Sequence, residues 1–510
     1  MEKTIPLVIL GLDAGTPEFI EKWVQEGYLP NIAAIMKRGC WGRTTGIDLL
    51  NEDGVWTRMF SGIPQSQHEF YYFRQLKLGT YDLYPVSEIE KSDYVFWSLL
   101  QKQHKKVALI DVPEMSILPN LNGIQLANWA VHNSHYIPSA SQPSNLLPEI
   151  RQVFGQAMNI TENFISSFAK DRQIYHRLLE RVEKKGRLCR YLLAKDKFDL
   201  AIIVFGECHT GGHQLWKYRP EAQGDEKVTD QSELTHSIRD IYQAIDRQIG
   251  LLLQQLPDHI NLVVVSSVGI KDQYPTGGLI EDFCRKLGYQ VSREPNSKPA
   301  SLLSLVRQLT PEAWRVALSR YFPRETRERL LAEQFLSSTN WSKTRAFAIP
   351  SAYMSFLRVN LQGREPQGIV KVGTEYETVL QQLEEDLRQL IDPRSGQAAV
   401  KEIYRADHLF GPERHQGLPD LFVSWQPFPY FMDCVLHPKI ELTQKKPDFF
   451  RGSDHSQQGF FAAAGPSIQQ QGTIGEISLL DLAPTFLELL QQPIPEWMSG
   501  QPIIKSSGRV

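Results

Sequence analysis

The chain has 510 residues, of which 42% are hydrophobic and 22% charged, with a formal net charge of −3. That length suits one large domain with insertions, or two to three domains. So small a net charge excludes a global pull toward nucleic acid or acidic membranes, and five cysteines without a CxxC pair exclude a disulfide framework and a thiolate zinc knot.

The opening stretch, "MEKTIPLVILGLDAG", passes from a short apolar run straight into Gly and Asp with no cleavage-site pattern. It reads as a buried strand (5–13) and not as a secretory signal. No apolar run reaches the roughly 18 residues that a bilayer span requires. The expectation is a soluble, cytoplasmic protein with no membrane or nucleic-acid partner. "TPEFIEKWVQEG" (16–27) follows as a helix, with Thr16 as N-cap, Pro17 at the first helical position and Gly27 at the end. "KVALIDVP" (106–113) reads as another buried strand of the sheet, but residues 68–190 otherwise show few strands, many aromatics and amphipathic helical stretches, so they read as a mostly helical cap insertion. "FDLAIIVF" (198–205) and "INLVVVSS" (260–267) are continuous apolar runs, as expected of strands covered on both faces. A helical pattern at 234–256 lies between them. Residues 290–345 are polar and basic and read as a second insertion. "PDLFVSW" (419–425) and "QGFFAAAGP" (458–466) complete the strand set. The alternation is that of an α/β protein with a mostly parallel sheet. The chain divides into core segments 1–67, 191–289 and 346–510, the cap at 68–190 and the insertion at 290–345.

Ligands in open α/β sheets gather at the carboxyl ends of the strands. The residues just past the apolar runs are Asp13, then Glu207, His209 and His213, then Ser267, Val268 and Gly269; Asp454 and His455 precede the last run. "FGECHTGGHQLW" spaces His209 and His213 four apart, which on a helix puts both rings on one side at ligand spacing. The bland alternative is a pair of ordinary polar loop residues.

Six segments in order resemble the type I phosphodiesterase/nucleotide pyrophosphatase family of the alkaline phosphatase superfamily. They include "GLDAGTPEFIEKWVQEGYLPNIAAIMKRGCWGR", "WTRMFSGIPQSQHEF", "DLAIIVFGECHTGGHQLWKY", "NWSKTRAFAI" with "VNLQGREPQGIV", "DHSQQGFFAAAGPSI" and "ISLLDLAPTFLELLQQPIPEWMSGQPI". The resemblance implies an alkaline phosphatase-like core with a mostly parallel central sheet flanked by helices. It also implies two metal ions, usually zinc, around a Thr or Ser nucleophile.

Carried over residue by residue, one metal site becomes His209, His213 and His455, with His209 standing where Asp is usual. Three imidazoles suit Zn2+, and their lower negative charge leaves the ion a stronger Lewis acid. The other site keeps Asp13, but "SDHG" is here "SSVG", so Ser267 and Val268 replace Asp and His. Counting back from Ser61 and Gly62 puts Glu52 at the nucleophile position, with Asp53 as the second candidate. Glu52 is then a metal ligand, a general base, a nucleophile or a lapsed position. Together with Asp13 it could hold a second divalent cation such as Mg2+ through oxygen. Trp129 and His132 read as a substrate-pocket wall, or as a packed aromatic and a solvated His. Arg364, in "GREP", either grips phosphate or pins a loop through Glu365. Cys208, with no base beside it, reads as a small buried residue, and Trp216 as packing under the metal loop.

The expected function is a metal-dependent hydrolase of small-molecule phosphate esters, most like a phosphodiesterase, with one zinc. The alternatives are a catalytically degenerate binding or partner protein, and a hydrolase or transferase of a non-phosphate ester.

Overall fold

The computed structural model describes residues 5–46, 50, 54–68, 70–85, 94–113, 115–131, 138–156, 160, 167–222, 233–293, 324–411, 416–447 and 451–504. Glu52, Asp53 and His132 lie outside the described residues.

The apolar runs build a nine-stranded sheet. Its strands are β1 (Leu7–Leu12), β2 (Cys40–Thr45), β5 (Val107–Ile110), β6 (Gly123–Ala127), β7 (Ala140–Gln142), β8 (Leu200–Phe205), β9 (Asn261–Ser266), β18 (Gly459–Ala464) and β19 (Gly472–Ser478). The order is β19-β2-β18-β9-β1-β8-β5-β6-β7. The pairings β9-β1, β1-β8, β8-β5, β5-β6 and β19-β2 are parallel, whereas β18 runs antiparallel to both its neighbours and β7 to β6. Every residue of β1, β8, β9 and β18 is buried, which is why these runs are apolar throughout and do not alternate. Helices Pro17–Gln25, Pro30–Arg38, Phe168–Leu193 and Ser237–Leu253 bury their apolar stripes in the same core. Among the described residues no helix is long and apolar enough to cross a membrane.

The helix after β1 begins at Pro17 and stops before Gly27, whose φ is +81°. Thr16 occupies the N-cap position, yet its hydroxyl does not close the helix end. It accepts the Ile270 N–H at 3.0 Å and so ties β10 (Ile270–Asp272) to the helix entry.

Three readings of the sequence require correction. Residues 68–190 are not a helical cap: they supply β5, β6, β7 and the Phe168–Leu193 helix to the central layer. The sequences of β6 and β7, "GIQLA" and "ASQ", are too short and polar to stand out as sheet strands. "PDLFVSW" does form β14 (Leu421–Trp425), but in a separate antiparallel sheet of order β11-β12-β14-β13, with β11 (Ala346–Ile349), β12 (Ser355–Val359) and β13 (Val400–Arg405). Both faces of β14 are buried, so its apolar run carries no sign of strand direction. Segment 346–510 therefore splits. Its first part makes this second lobe, together with the hairpin of β15 (Cys434–His437) and β16 (Ile440–Thr443), and only the chain from β17 (Ser453–His455) onward returns to the central layer.

The second sheet alternates with period two. Ala346, Ala348, Leu357, Val359, Leu421 and Val423 face one core with helices Gly277–Lys286 and Thr374–Arg388. Phe347, Ile349, Phe356 and Phe422 face another, shared with the hairpin of β3 (Arg74–Leu76) and β4 (Leu83–Pro85) and with helix Arg324–Ser338, the described part of the 290–345 insertion.

Gly11 in β1 shows how tightly the layers meet. A Cβ there would lie 2.8 Å from Trp56 Cη2 and 2.8 Å from Val204 Cγ2. Gly11→Ala is expected to cost roughly 1–3 kcal/mol by overpacking, read as a lower melting temperature. An unchanged melting temperature would show that the Trp56 contact yields freely.

Candidate metal centre

β8 ends at Phe205, and the chain turns through Gly206 into helix Glu207–Leu215. This helix is buried over its whole length, although two adjacent glycines are poor helix formers. Packing is the reason. A Cβ on Gly211 would lie 2.6 Å from Ile241 Cδ1, and one on Gly212 2.2 Å from Ile270 Cδ1. The helix is anchored at its start by Glu207, which accepts from Arg181 Nε at 2.7 Å with both side chains fully buried. One turn apart, His209 and His213 point to the same side, with ring centroids 4.8 Å apart.

The third imidazole arrives from β17, which pairs antiparallel with β10 and sets His455 opposite Ile270. The His455 ring centroid is 4.8 Å from that of His209 and 4.6 Å from that of His213. His209, His213 and His455 are all buried, and one ligand atom from each lies within 4.8 Å of the others. Their Nε2 atoms meet at 3.1 Å between His213 and His455. Two nitrogens on a tetrahedral zinc at 2.0–2.1 Å are separated by about 3.3 Å, so this pair already stands at the spacing of two ligands on one ion. Burial pushes the His455 imidazole down to about 4, against the opposing pull of the Asp13 charge. At neutral pH it is thus the uncharged ligand form that a metal requires.

The rings of His209 and His213 are oriented from behind, and that of His455 has a carboxylate nearby. Asp13, directly after β1, has Oδ2 3.2 Å from His209 Nδ1. With Nδ1–H donating to that carboxylate, Nε2 is the nitrogen presented to an ion, the usual carboxylate–histidine arrangement behind a metal. Asp13 is itself held. Its Oδ1 accepts from Trp56 Nε1 at 2.9 Å and from the Ser267 hydroxyl at 3.2 Å, and Ser267 Oγ in turn accepts the Ala14 N–H at 3.0 Å. His213 Nδ1 lies 3.0 Å from Ser453 Oγ, and His455 Nδ1 lies 3.5 Å from Asp454 Oδ1. The sequence reading missed Ser453 and Trp56. Ser453 was findable, since a residue two before His455 in a strand shares its face. Trp56 had no such signal, because only packing brings it to Asp13.

Asp13 stands outside the three-histidine cluster, as the residue that orients His209. Ser267 has become part of Asp13's hydrogen-bond set. Val268 is buried and offers no ligand atom. Trp129 is packed in the central core, with its backbone N–H donating to Asp111 Oδ1 at 2.7 Å. Arg364 has the loop-pinning arrangement: Nε donates to Glu365, and the terminal nitrogens donate to Asp420 at 2.6 and 2.8 Å and to the Val359 carbonyl. Burial alone would lower the Arg364 pKa, but Asp420 and Glu365 outweigh it and raise it. Cys208 is buried, and burial raises its thiol well above the usual value, which leaves it unreactive. Trp216 packs beside the histidine helix and donates to Asp272 Oδ1 at 2.9 Å.

An open cleft runs from His455 to the second lobe. Lys271, Asp454, Tyr72, Tyr353 and Trp425 are among its lining residues. Burial lowers the Lys271 ammonium from its usual pKa, against the pull of the Asp454 carboxylate.

A family profile described as type I phosphodiesterase/nucleotide pyrophosphatase matches residues 7–449. The fold is similar to that of murine ectonucleotide pyrophosphatase/phosphodiesterase 5 over 97% of this chain and 96% of that one, at 13% identity and a TM-score of 0.50. The human protein of the same name aligns over 99% and 97%, at 12% identity and a TM-score of 0.49. No curated protein sequence matches the chain.

Two measurements check this geometry. Protein purified without added metal is expected to carry about one zinc per chain, lost in His455→Ala and bound about 10–100-fold more weakly in Asp13→Asn. Metal analysis and chelator competition read this out, and an unaltered affinity in Asp13→Asn would remove the carboxylate from the arrangement. Arg364→Met leaves Asp420 and Glu365 short of a buried partner and is expected to cost about 3–5 kcal/mol of stability. Its zinc content should stay unchanged; lost substrate affinity without lost stability would restore Arg364 to the substrate.

Proposed function

The chain belongs to the type I phosphodiesterase/nucleotide pyrophosphatase family, and from that premise we propose that it hydrolyses small-molecule phosphodiesters at the histidine cluster. The observation that carries this reading is the meeting of His209 and His213 with His455, which is remote from them in sequence, at the rim of the sheet. The donor set suits zinc, which these three side chains would hold. When bound, it supplies Lewis acidity toward a phosphoryl oxygen and acidifies a water.

The remaining work belongs to the chain. Asp13 keeps a proton on His209 Nδ1 and thereby fixes the tautomer. Trp56 and Ser267 hold Asp13 in the plane where it can do so. Ser453 does the same for His213. The buried histidine helix keeps bulk water from the rear of the cluster, so charge developing on the phosphoryl group meets preset dipoles. Glu52 is assigned the role of base or nucleophile. It precedes by three residues the helix Val55–Ser61, whose Trp56 donates to Asp13. As a base it takes a proton from the attacking water; as a nucleophile it forms an acyl phosphate, expels the alcohol, and is regenerated by water.

One observation favours a second reading, that of a binding protein without turnover. The position where the family carries a second Asp-His pair holds Ser267 and Val268, and Ser267 is bonded to Asp13 and to the Ala14 N–H.

Zinc-loaded protein is expected to turn over bis(4-nitrophenyl) phosphate. Glu52→Gln should lower kcat by about 10²–10⁴-fold with zinc content unchanged. No turnover across a panel of phosphodiesters by a fully metallated protein would overturn the hydrolase reading in favour of the binding protein.

A further inference from the structure

The β10–β17 ribbon places a cation beside the histidine cluster that the cluster itself does not use. Along β10 the side chains alternate. Ile270 turns toward Gly212 of the histidine helix, and Asp272 accepts from Trp216 Nε1 and Arg219. Lys271, between them, turns the other way, into the cleft that also reaches His455. It is the one Lys or Arg among the described residues lining that cleft. Asp454 faces it across the ladder, and Asp454 Oδ1 lies 3.5 Å from His455 Nδ1. Among the described residues the Lys271 ammonium makes no hydrogen bond or ion pair, and Asp454 acts on it only through its charge. A partly buried ammonium without a hydrogen-bonded anion is unfavourable, so the position makes physical sense when an anion enters the cleft.

The chemistry at the neighbouring position adds to this. Ser267 is bonded to Asp13 and to the Ala14 N–H, and Val268 has no donor atom, so neither can help to hold a second ion. Positive charge beyond what the three histidines could hold must come from a side chain, and Lys271, three residues after Val268, is placed to provide it.

We propose that Lys271 binds a phosphoryl oxygen of the substrate and supplies the positive charge that a second metal would otherwise bring to this cleft. The assignment rests on the phosphoester reading above.

The probe is inorganic phosphate, titrated calorimetrically into zinc-loaded wild type, Lys271→Gln and Lys271→Arg. Loss of one charge-assisted hydrogen bond is expected to weaken phosphate about 10–100-fold in Lys271→Gln, with substantial recovery in Lys271→Arg. Zinc stoichiometry and melting temperature should be the same in all three. Equal phosphate affinity in all three proteins, or no phosphate binding by the wild type, overturns the proposal. A measurement that needs no variant guards against misfolding: phosphate should slow acetylation of Lys271 in the wild type, followed by mass spectrometry, and an unprotected Lys271 overturns the proposal equally. Phosphate held through Lys271 by a protein that turns over no diester would sink the hydrolase reading and leave this assignment standing.

Discussion

In-register packing of β1 between β8 and β9 is the constraint on which the rest depends. Leu12 sits opposite Phe205 on one side and Ser266 on the other. The next residues of the three strands, Asp13, Gly206 and Ser267, therefore leave the sheet at one level. Asp13 meets His209 and Ser267 because parallel strands that end together release their loops together. A slip of one residue would exchange the side chains of two faces that are both packed, so the hydrophobic core that fixes the register also fixes the polar contacts behind the cluster. The tight approach of Gly11 to Trp56 extends the same logic to a third segment, since Trp56 is the second donor to Asp13.

The cluster is unusual in its charge. Three imidazoles contribute no negative charge, and the described carboxylates close by, Asp13 and Asp454, stand behind the rings at the Nδ1 atoms of His209 and His455. That arrangement favours a small, borderline-soft ion on nitrogen and leaves more of its charge uncompensated than a carboxylate set would. With an ion held there such a centre would attract anions, and the cleft beside it adds Lys271 on one side and aromatic rings from the second lobe on the other. Orientation of the ligands is assigned to carboxylate and hydroxyl partners that are themselves held in place. This is how a site keeps its geometry without the ion having to impose it.

The second lobe is a packed unit with a sheet that buries both faces, one against its own helices and one against the β3–β4 hairpin. Arg364, Asp420 and Glu365 lock its turns through fully formed hydrogen bonds. A rigid lobe makes a fixed far wall for the cleft. Tyr353 and Trp425 lie on that wall, with Tyr72 beside them, and His455 lies at the rim of the central sheet; on the proposed reading the first three would bear on selectivity and the rim on reactivity.

Much of this was legible in the sequence. Continuous apolar runs located β1, β5, β8, β9, β14 and β18, because burial on both faces leaves no room for polar alternation. The four-residue spacing of His209 and His213 forced their rings to one side, since local geometry alone sets that relation. What the sequence could not convey was membership and direction. "PDLFVSW" looks like a central strand yet belongs to another sheet, and "GIQLA" looks like nothing yet completes the central one, because strand pairing is a contact between distant segments that leaves no local mark. The same holds at the site. That His455 could converge with His209 and His213 followed from its place beside a strand end, but that the three form one set followed only from the family resemblance. That Asp13 stands behind a ring, that Arg364 is spent on carboxylates and that Lys271 faces a cleft were decided by tertiary packing, because a side chain's role depends on which partner reaches it first.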